Sequence, residues 1–211
     1  MRGEKKVGIA EFCRSIRYPL PANFAIEVKT KTRRGCGFIM DANHATETFT
    51  VLTPAEAETL AAIAERIFPA TDTPGAVQIG ALHYIDIALA GDYAALAPLY
   101  RQGLRSINRC ARSRCGARFA DLVDDEKDAM LIDCEAGRVT GFKNAAEFFE
   151  TVRYHVLEGV FCEPQYGGNK NMAGWRLVDF PGQQFGYADA YINRRVDLEP
   201  VSVHSKKPEE K

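Results

Sequence analysis

Residues 161–182, FCEPQYGGNKNMAGWRLVDFPG, constrain the fold more than any other part of this 211-residue chain. The segment holds Gly167, Gly168, Gly174 and Gly182, two prolines, and the chain's one tryptophan. It cannot simply extend a helix, because each glycine adds backbone freedom and each proline removes an N–H donor. Yet Phe161, Tyr166, Trp175, Leu177 and Phe180 bring more apolar surface than a floppy linker carries. The expectation is a long, ordered, packed loop, with special backbone angles at Gly167-Gly168 and a turn at Pro181-Gly182.

Upstream, the apolar positions repeat at helical spacing. Thr53 reads as an N-cap, Pro54 fits a first turn, and Glu56 completes a Thr-x-x-Glu capping box. Leu60, Ile63, Ala64 and Ile67 then mark one face, and Pro69 ends the run. A second helix is expected over Val77 to Ala90, ended by Gly91. A long third helix is capped by Asp92, with Leu96, Leu99, Tyr100, Leu104 and Ile107 on its apolar face. A shorter one runs from Asp124 to Glu135, its acids in the first turn. The last runs from Ala145 to Val160, burying Phe148, Phe149, Val152, Val156, Leu157 and Val160. No segment alternates with period two for long. The fold class predicted is mainly α, a single helical domain over residues 50–197. An irregular basic arm (1–49) precedes it and a disordered tail (198–211) follows.

Charge is unevenly spread. Residues 1–49 hold nine Lys/Arg against five Asp/Glu, hence +4, and with a net charge of −1 the remainder carries −5. This balance gives no reason to expect a nucleic-acid partner. No stretch approaches the roughly 18 apolar residues of a membrane span. Arg33-Arg34 invites a twin-arginine reading, but Gly35-Cys36-Gly37-Phe38-Ile39-Met40-Asp41 is too short for an apolar signal core, so no convincing signal peptide is expected.

The residues of the late segment carry a resemblance. Phe161, Glu163, Pro164, Tyr166, Gly167, Gly168, Asn169, then Gly174, Trp175, Leu177, then Phe180, Pro181 and Gly182, resemble the gluconate 2-dehydrogenase subunit 3 family. Glu163 stands where Asp is more usual. Leu52-Thr53-Pro54 and the run from Ile67 to Ala76 support the same resemblance. It implies a non-catalytic small subunit of a membrane-bound, FAD-dependent sugar or sugar-acid dehydrogenase, stabilising the large flavoprotein subunit or assisting its maturation and export. It further implies FAD in that large partner and haem c in a cytochrome subunit. No cofactor is implied in this chain, and the membrane is met only through the complex. The location implied is the periplasmic side of the inner membrane. The candidate interface is Tyr166, Asn169, Trp175 and Arg176, with Cys162 as a possible bridge to a partner.

No GxGxxG, GxxxxGK[ST] or GxSxG pattern is present, and no catalytic residue is assigned. Gly167-Gly168-Asn169 could form an anion nest, although tight turn geometry explains the glycines more simply. The alternative to a small subunit is a stand-alone helical metalloprotein. His155-x-x-Glu158 and His83-x-x-Asp86 each place two ligand types on one helical face, with Glu150 and Glu147 about one and two turns before His155. The order of both pairs is reversed from the usual Glu-x-x-His. Six cysteines without any CxxC pair do not build a zinc or iron–sulfur site. Finally, Arg101, Arg105, Arg109 and Arg112 share a helical face, with Arg114 and Arg118 beyond. Such a stripe is expected to be solvated, paired with Asp121, Asp124, Asp125, Glu126 and Asp128, or docked on a partner.

Overall fold

A computed structural model describes residues 49–183 and 198–203. All of them fall within a single unit of the chain. The arm read over 1–49 therefore lies almost wholly outside the described residues, as does the tail beyond 203. The described residues hold seven α-helices: α1 (Pro54–Ile67), α2 (Ala76–Ile79), α3 (Ala81–Ala90), α4 (Ala97–Cys115), α5 (Asp124–Glu135), α6 (Ala145–Phe161) and α7 (Ala173–Leu177). No strand occurs among the described residues; one isolated bridge pairs Gly182 with Val201.

The start of α1 follows its sequence. Thr53 Oγ1 accepts from the Glu56 amide at 3.3 Å, and Glu56 Oε2 accepts from the Thr53 amide at 3.1 Å. Two otherwise orphaned backbone donors are thereby satisfied. The approach to this cap is fixed from elsewhere. The buried Asp86 carboxylate on α3 accepts three consecutive amides, those of Thr50 (2.6 Å), Val51 (2.9 Å) and Leu52 (2.9 Å). One side chain of the expected His83/Asp86 pair thus clamps the chain entering α1.

Two helices differ from expectation. The run over 77–90 is two helices, because Gly80 takes φ 91°, a left-handed angle that favours glycine. Before α4, Asp92 provides no cap. A short 3-10 turn, Ala94–Leu96, leads in, and Pro98 sits in the first turn of α4, where no N–H is needed. The bounds of α5 agree with the sequence reading, and α6 runs one residue longer than read.

α6 is the central helix and packs against the other six. Ala145, Phe148, Phe149, Val152, His155, Val156, Gly159 and Val160 are buried on more than one of its faces, as expected of a helix enclosed by others. Leu157, expected inside, is half-buried. Close approach needs small residues opposite large ones. At Gly103 on α4 an added Cβ would overlap the Phe148 ring, so that glycine is the notch that admits Phe148.

Candidate functional site

The chain after α6 turns back and caps the helix it has just left. An α-helix ends with carbonyls that have no partner within it. Here Glu158 O accepts from Cys162 N at 2.7 Å, Gly159 O from Asn169 N at 2.8 Å, and Phe161 O from the Trp175 indole N–H at 2.8 Å. The Cys162 carbonyl just beyond accepts Asn169 Nδ2 at 2.8 Å. Asn169 Oδ1 in turn accepts the Gly174 amide at 2.9 Å. Asn169 is fully buried and takes φ 44°; asparagine tolerates that region better than most residues. A Cβ at Gly168 would overlap Gly159 O, and one at Gly174 would overlap Val160 O, so both glycines are required by backbone contact. Trp175 is buried and meets Phe180 edge-to-face at 5.1 Å.

The expectation of an ordered, packed loop therefore holds, with one refinement. Left-handed angles fall at Gly167, Asn169, Asn171, Met172, Asp179 and Gly182, but not at Gly168. Two 3-10 turns, Pro164–Tyr166 and Lys170–Met172, and the short α7 interrupt the loop. Its end is tied down too. Val201 N donates to Pro181 O and Gln183 N to Val201 O, while Ser202 bonds Glu163. Residues 198–203 of the stretch read as a tail are thus joined to this loop.

The candidate interface residues divide by placement. Asn169 and Trp175 face inward as parts of the cap. Tyr166 is 55% exposed, and Arg176, also exposed, pairs with Glu199. Cys162 is half-buried, donates weakly to Gly159 O at 3.7 Å, and burial pushes its thiol up to about 11, so it is a protonated thiol at neutral pH. Gly167 lies against His83 and Ile87 of α3, where an added Cβ would collide with both. Gly80, His83, Pro164, Gly167, Gly168, Lys170 and Asn171 line a cavity of about 350 Å³ at this seam.

The proposed metal ligands are not brought together; among the described residues no group of three or more His, Cys, Asp or Glu could hold an ion. His155, Glu158 and Glu150 are each engaged with other residues instead. His155 is buried, shares a 2.9 Å hydrogen bond between Nδ1 and the Tyr100 hydroxyl, and is stacked by Tyr93 at 4.5 Å. Glu158 accepts the hydroxyls of Tyr84 (2.9 Å) and Tyr93 (3.3 Å). Glu150 pairs with Arg153 at 2.6 Å, and Glu147 is exposed. The tyrosines escaped the sequence reading because their partners lie far along the chain, 74 residues away for Tyr84, and no local pattern marks them. Burial raises the pKa of Tyr84, Tyr93 and Tyr100, with Glu158 adding to each, so all three hydroxyls remain neutral.

Burial also depresses the His155 pKa below its ordinary value, against the opposing pull of Glu158. The folded state therefore binds fewer protons than the unfolded chain. The contribution to stability is fully present above the unfolded value of about 6.5 and is lost as pH falls through the folded one. The melting temperature of the wild type should drop more steeply from pH 7 to pH 5 than that of His155→Gln. Parallel pH profiles would contradict the assignment.

Of the arginines beyond the stripe, Arg118 pairs with Glu58 (2.6 Å) and Asp121 (2.8 Å), and Arg114 with Asp133 (2.8 Å). Asp124 and Asp128 are taken by Arg66 of α1.

Comparison with known proteins finds no matching curated protein and no matching solved structure. One family model, described as gluconate 2-dehydrogenase subunit 3, matches residues 54–182. That span begins at the first residue of α1 and ends at the Gly182 bridge, so it takes in the seven helices and the whole capping loop. Covering more than half of the sequence, the match establishes that this chain belongs to the gluconate 2-dehydrogenase subunit 3 family, a family of subunits of multi-subunit dehydrogenase complexes.

Proposed function

We infer that this chain is the non-catalytic small subunit of a heteromeric, FAD-dependent sugar or sugar-acid dehydrogenase of the gluconate 2-dehydrogenase type. It stabilises the large flavoprotein subunit and assists its maturation or export. On this reading FAD belongs to the large partner and haem c to a cytochrome subunit, the complex works at the periplasmic side of the inner membrane, and the oxidation is performed outside this chain. The observation that carries the reading is the family match over the helical domain together with its capping loop. Among the described residues no helix is long and apolar enough to cross a membrane.

The contact with the flavoprotein is assigned to the outer side of the loop. Tyr166 and Arg176 are presented to it, while Asn169, Trp175 and Cys162 form the frame behind them. A loop held rigid before binding loses less entropy on association, and exposed Tyr and Arg are common interface anchors. A tagged copy expressed in the native cell should co-purify with a large subunit carrying flavin absorbance. Tyr166→Ala should lower that recovery by about tenfold, the loss of an anchor worth about 1.4 kcal/mol. Recovery of the chain alone, without flavin, would overturn the reading.

A further inference from the structure

Three of the four arginines in the stripe on α4 have no ion pair among the described residues, and the fourth, Arg105, has a loose one with Glu56. Arg101, Arg105, Arg109 and Arg112 follow at four, four and three residues, which places them within about 80° of one another along a ridge of roughly 17 Å. The opposite face of α4, with Tyr100, Leu104, Ile107 and Ala111, is buried in the core, so the four side chains point outward. Four nearby acids in the sequence are engaged elsewhere: Asp124 and Asp128 by Arg66, Asp121 by Arg118 and Asp133 by Arg114. Arg105 comes only within 3.8 Å of Glu56, with its side chain 77% exposed. Arg109 donates to Gly141 O at 3.0 Å and to Ser106 Oγ, neither of them a charge. Arg101 and Arg112 have no ion pair among the described residues.

Like charges one turn apart repel one another, and among the described residues only the Arg105–Glu56 contact offsets this. We propose that this ridge docks against an acidic surface of the large partner subunit, and the proposal rests on the small-subunit reading above. A ridge of arginines calls for an acidic partner surface, since complementary potentials favour encounter. All four cations are guanidinium groups, whose planar fork suits paired hydrogen bonds to carboxylates. A bilayer fits less well, because a helix that lies in a membrane turns an apolar face to the lipid, and among the described residues α4 exposes no large apolar side chain. Contacts of this kind act chiefly on association rate and its salt dependence.

The test uses the flavin-bearing large subunit recovered with the tagged wild-type chain. After separation, its rebinding kinetics are followed over a series of salt concentrations. Arg101→Glu/Arg105→Gln/Arg112→Glu should slow association by about tenfold or more at low salt and flatten the salt dependence, with dissociation changed by less than about threefold. The triple Lys variant at the same positions should recover most of the rate. Thermal unfolding of each variant guards against misfolding. If the wild-type chain binds and the charge variant binds at the same rate with the same salt dependence, the stripe is no part of the docking surface, and only this proposal fails. Loss of binding to anionic phospholipid vesicles, with partner association untouched, would overturn it in favour of a membrane contact. A wild-type chain that never binds the large subunit would bring down the small-subunit reading and this proposal together.

Discussion

Trp175→Ala is expected to lower the stability of the domain by about 3–5 kcal/mol, the usual range for removing a large buried aromatic side chain. Two losses combine. The indole leaves a space between the loop and the end of α6, and the Phe161 carbonyl loses the donor that satisfied it. For a domain of this size the melting temperature should fall on the order of 10 °C or more. Helix content should survive, since α1 to α6 pack on each other without the loop, whereas amides of residues 163–182 should lose protection from hydrogen exchange. Trp175→Phe separates the two losses: it keeps a ring in place and removes the hydrogen bond, a cost of about 1–2 kcal/mol. A melting temperature for Trp175→Ala within a degree or two of wild type would show that the indole does not hold the loop. Because the side chain faces inward, any loss of partner recovery in this variant would arise from a loosened frame and not from a deleted contact. Tyr166→Ala, on the exposed side, is the cleaner probe of the interface.

Gly159→Ala discriminates between local and tertiary effects by its sign. In an exposed helix interior this change should stabilise by about 1 kcal/mol, because alanine favours the helix more than glycine does. In α6 the new Cβ would lie 2.8 Å from Ala81 Cα and 3.1 Å from Ala81 O, atoms of a neighbouring backbone that cannot swing aside. The Gly159 carbonyl also accepts the Asn169 amide, so a shift of α6 here would strain the cap of the loop. Overpacking of this kind typically costs 1–3 kcal/mol, occasionally more, and the net result expected is a loss of about 2 kcal/mol read from chemical denaturation. An unchanged or higher stability would mean that α3 and α6 are not in backbone contact at Gly159.

The same contrast runs through the molecule. Short-range chemistry was legible in the residues themselves: the Thr53/Glu56 capping box, the bounds of α5 and the apolar face of α1 all depend on neighbours a few positions apart. The glycines, prolines and aromatics of 161–182 likewise announced an ordered loop, and their order carried the family resemblance that the match over 54–182 bears out. What the loop residues do was not legible. Asn169 and Trp175 read as interface candidates, yet both are turned inward to satisfy the terminal carbonyls of α6, because those carbonyls are near only after the chain has folded back. His155 and Glu158 read as ligands on one helical turn, and the pattern was correct about proximity. Their partners, Tyr84, Tyr93 and Tyr100, come from α3, the turn before α4, and α4, and engage His155 Nδ1 and the Glu158 carboxylate. Gly80 interrupts what periodicity alone joins into one helix, because periodicity does not report a left-handed backbone angle. The sequence by itself thus determined the helices, the ordered loop and the family, since these follow from local preference and residue order. Only the tertiary structure decided which polar groups are already satisfied and which, like the arginines of α4, are left facing outward. Hydrogen-bond satisfaction and burial are properties of segments brought together from distant parts of the chain.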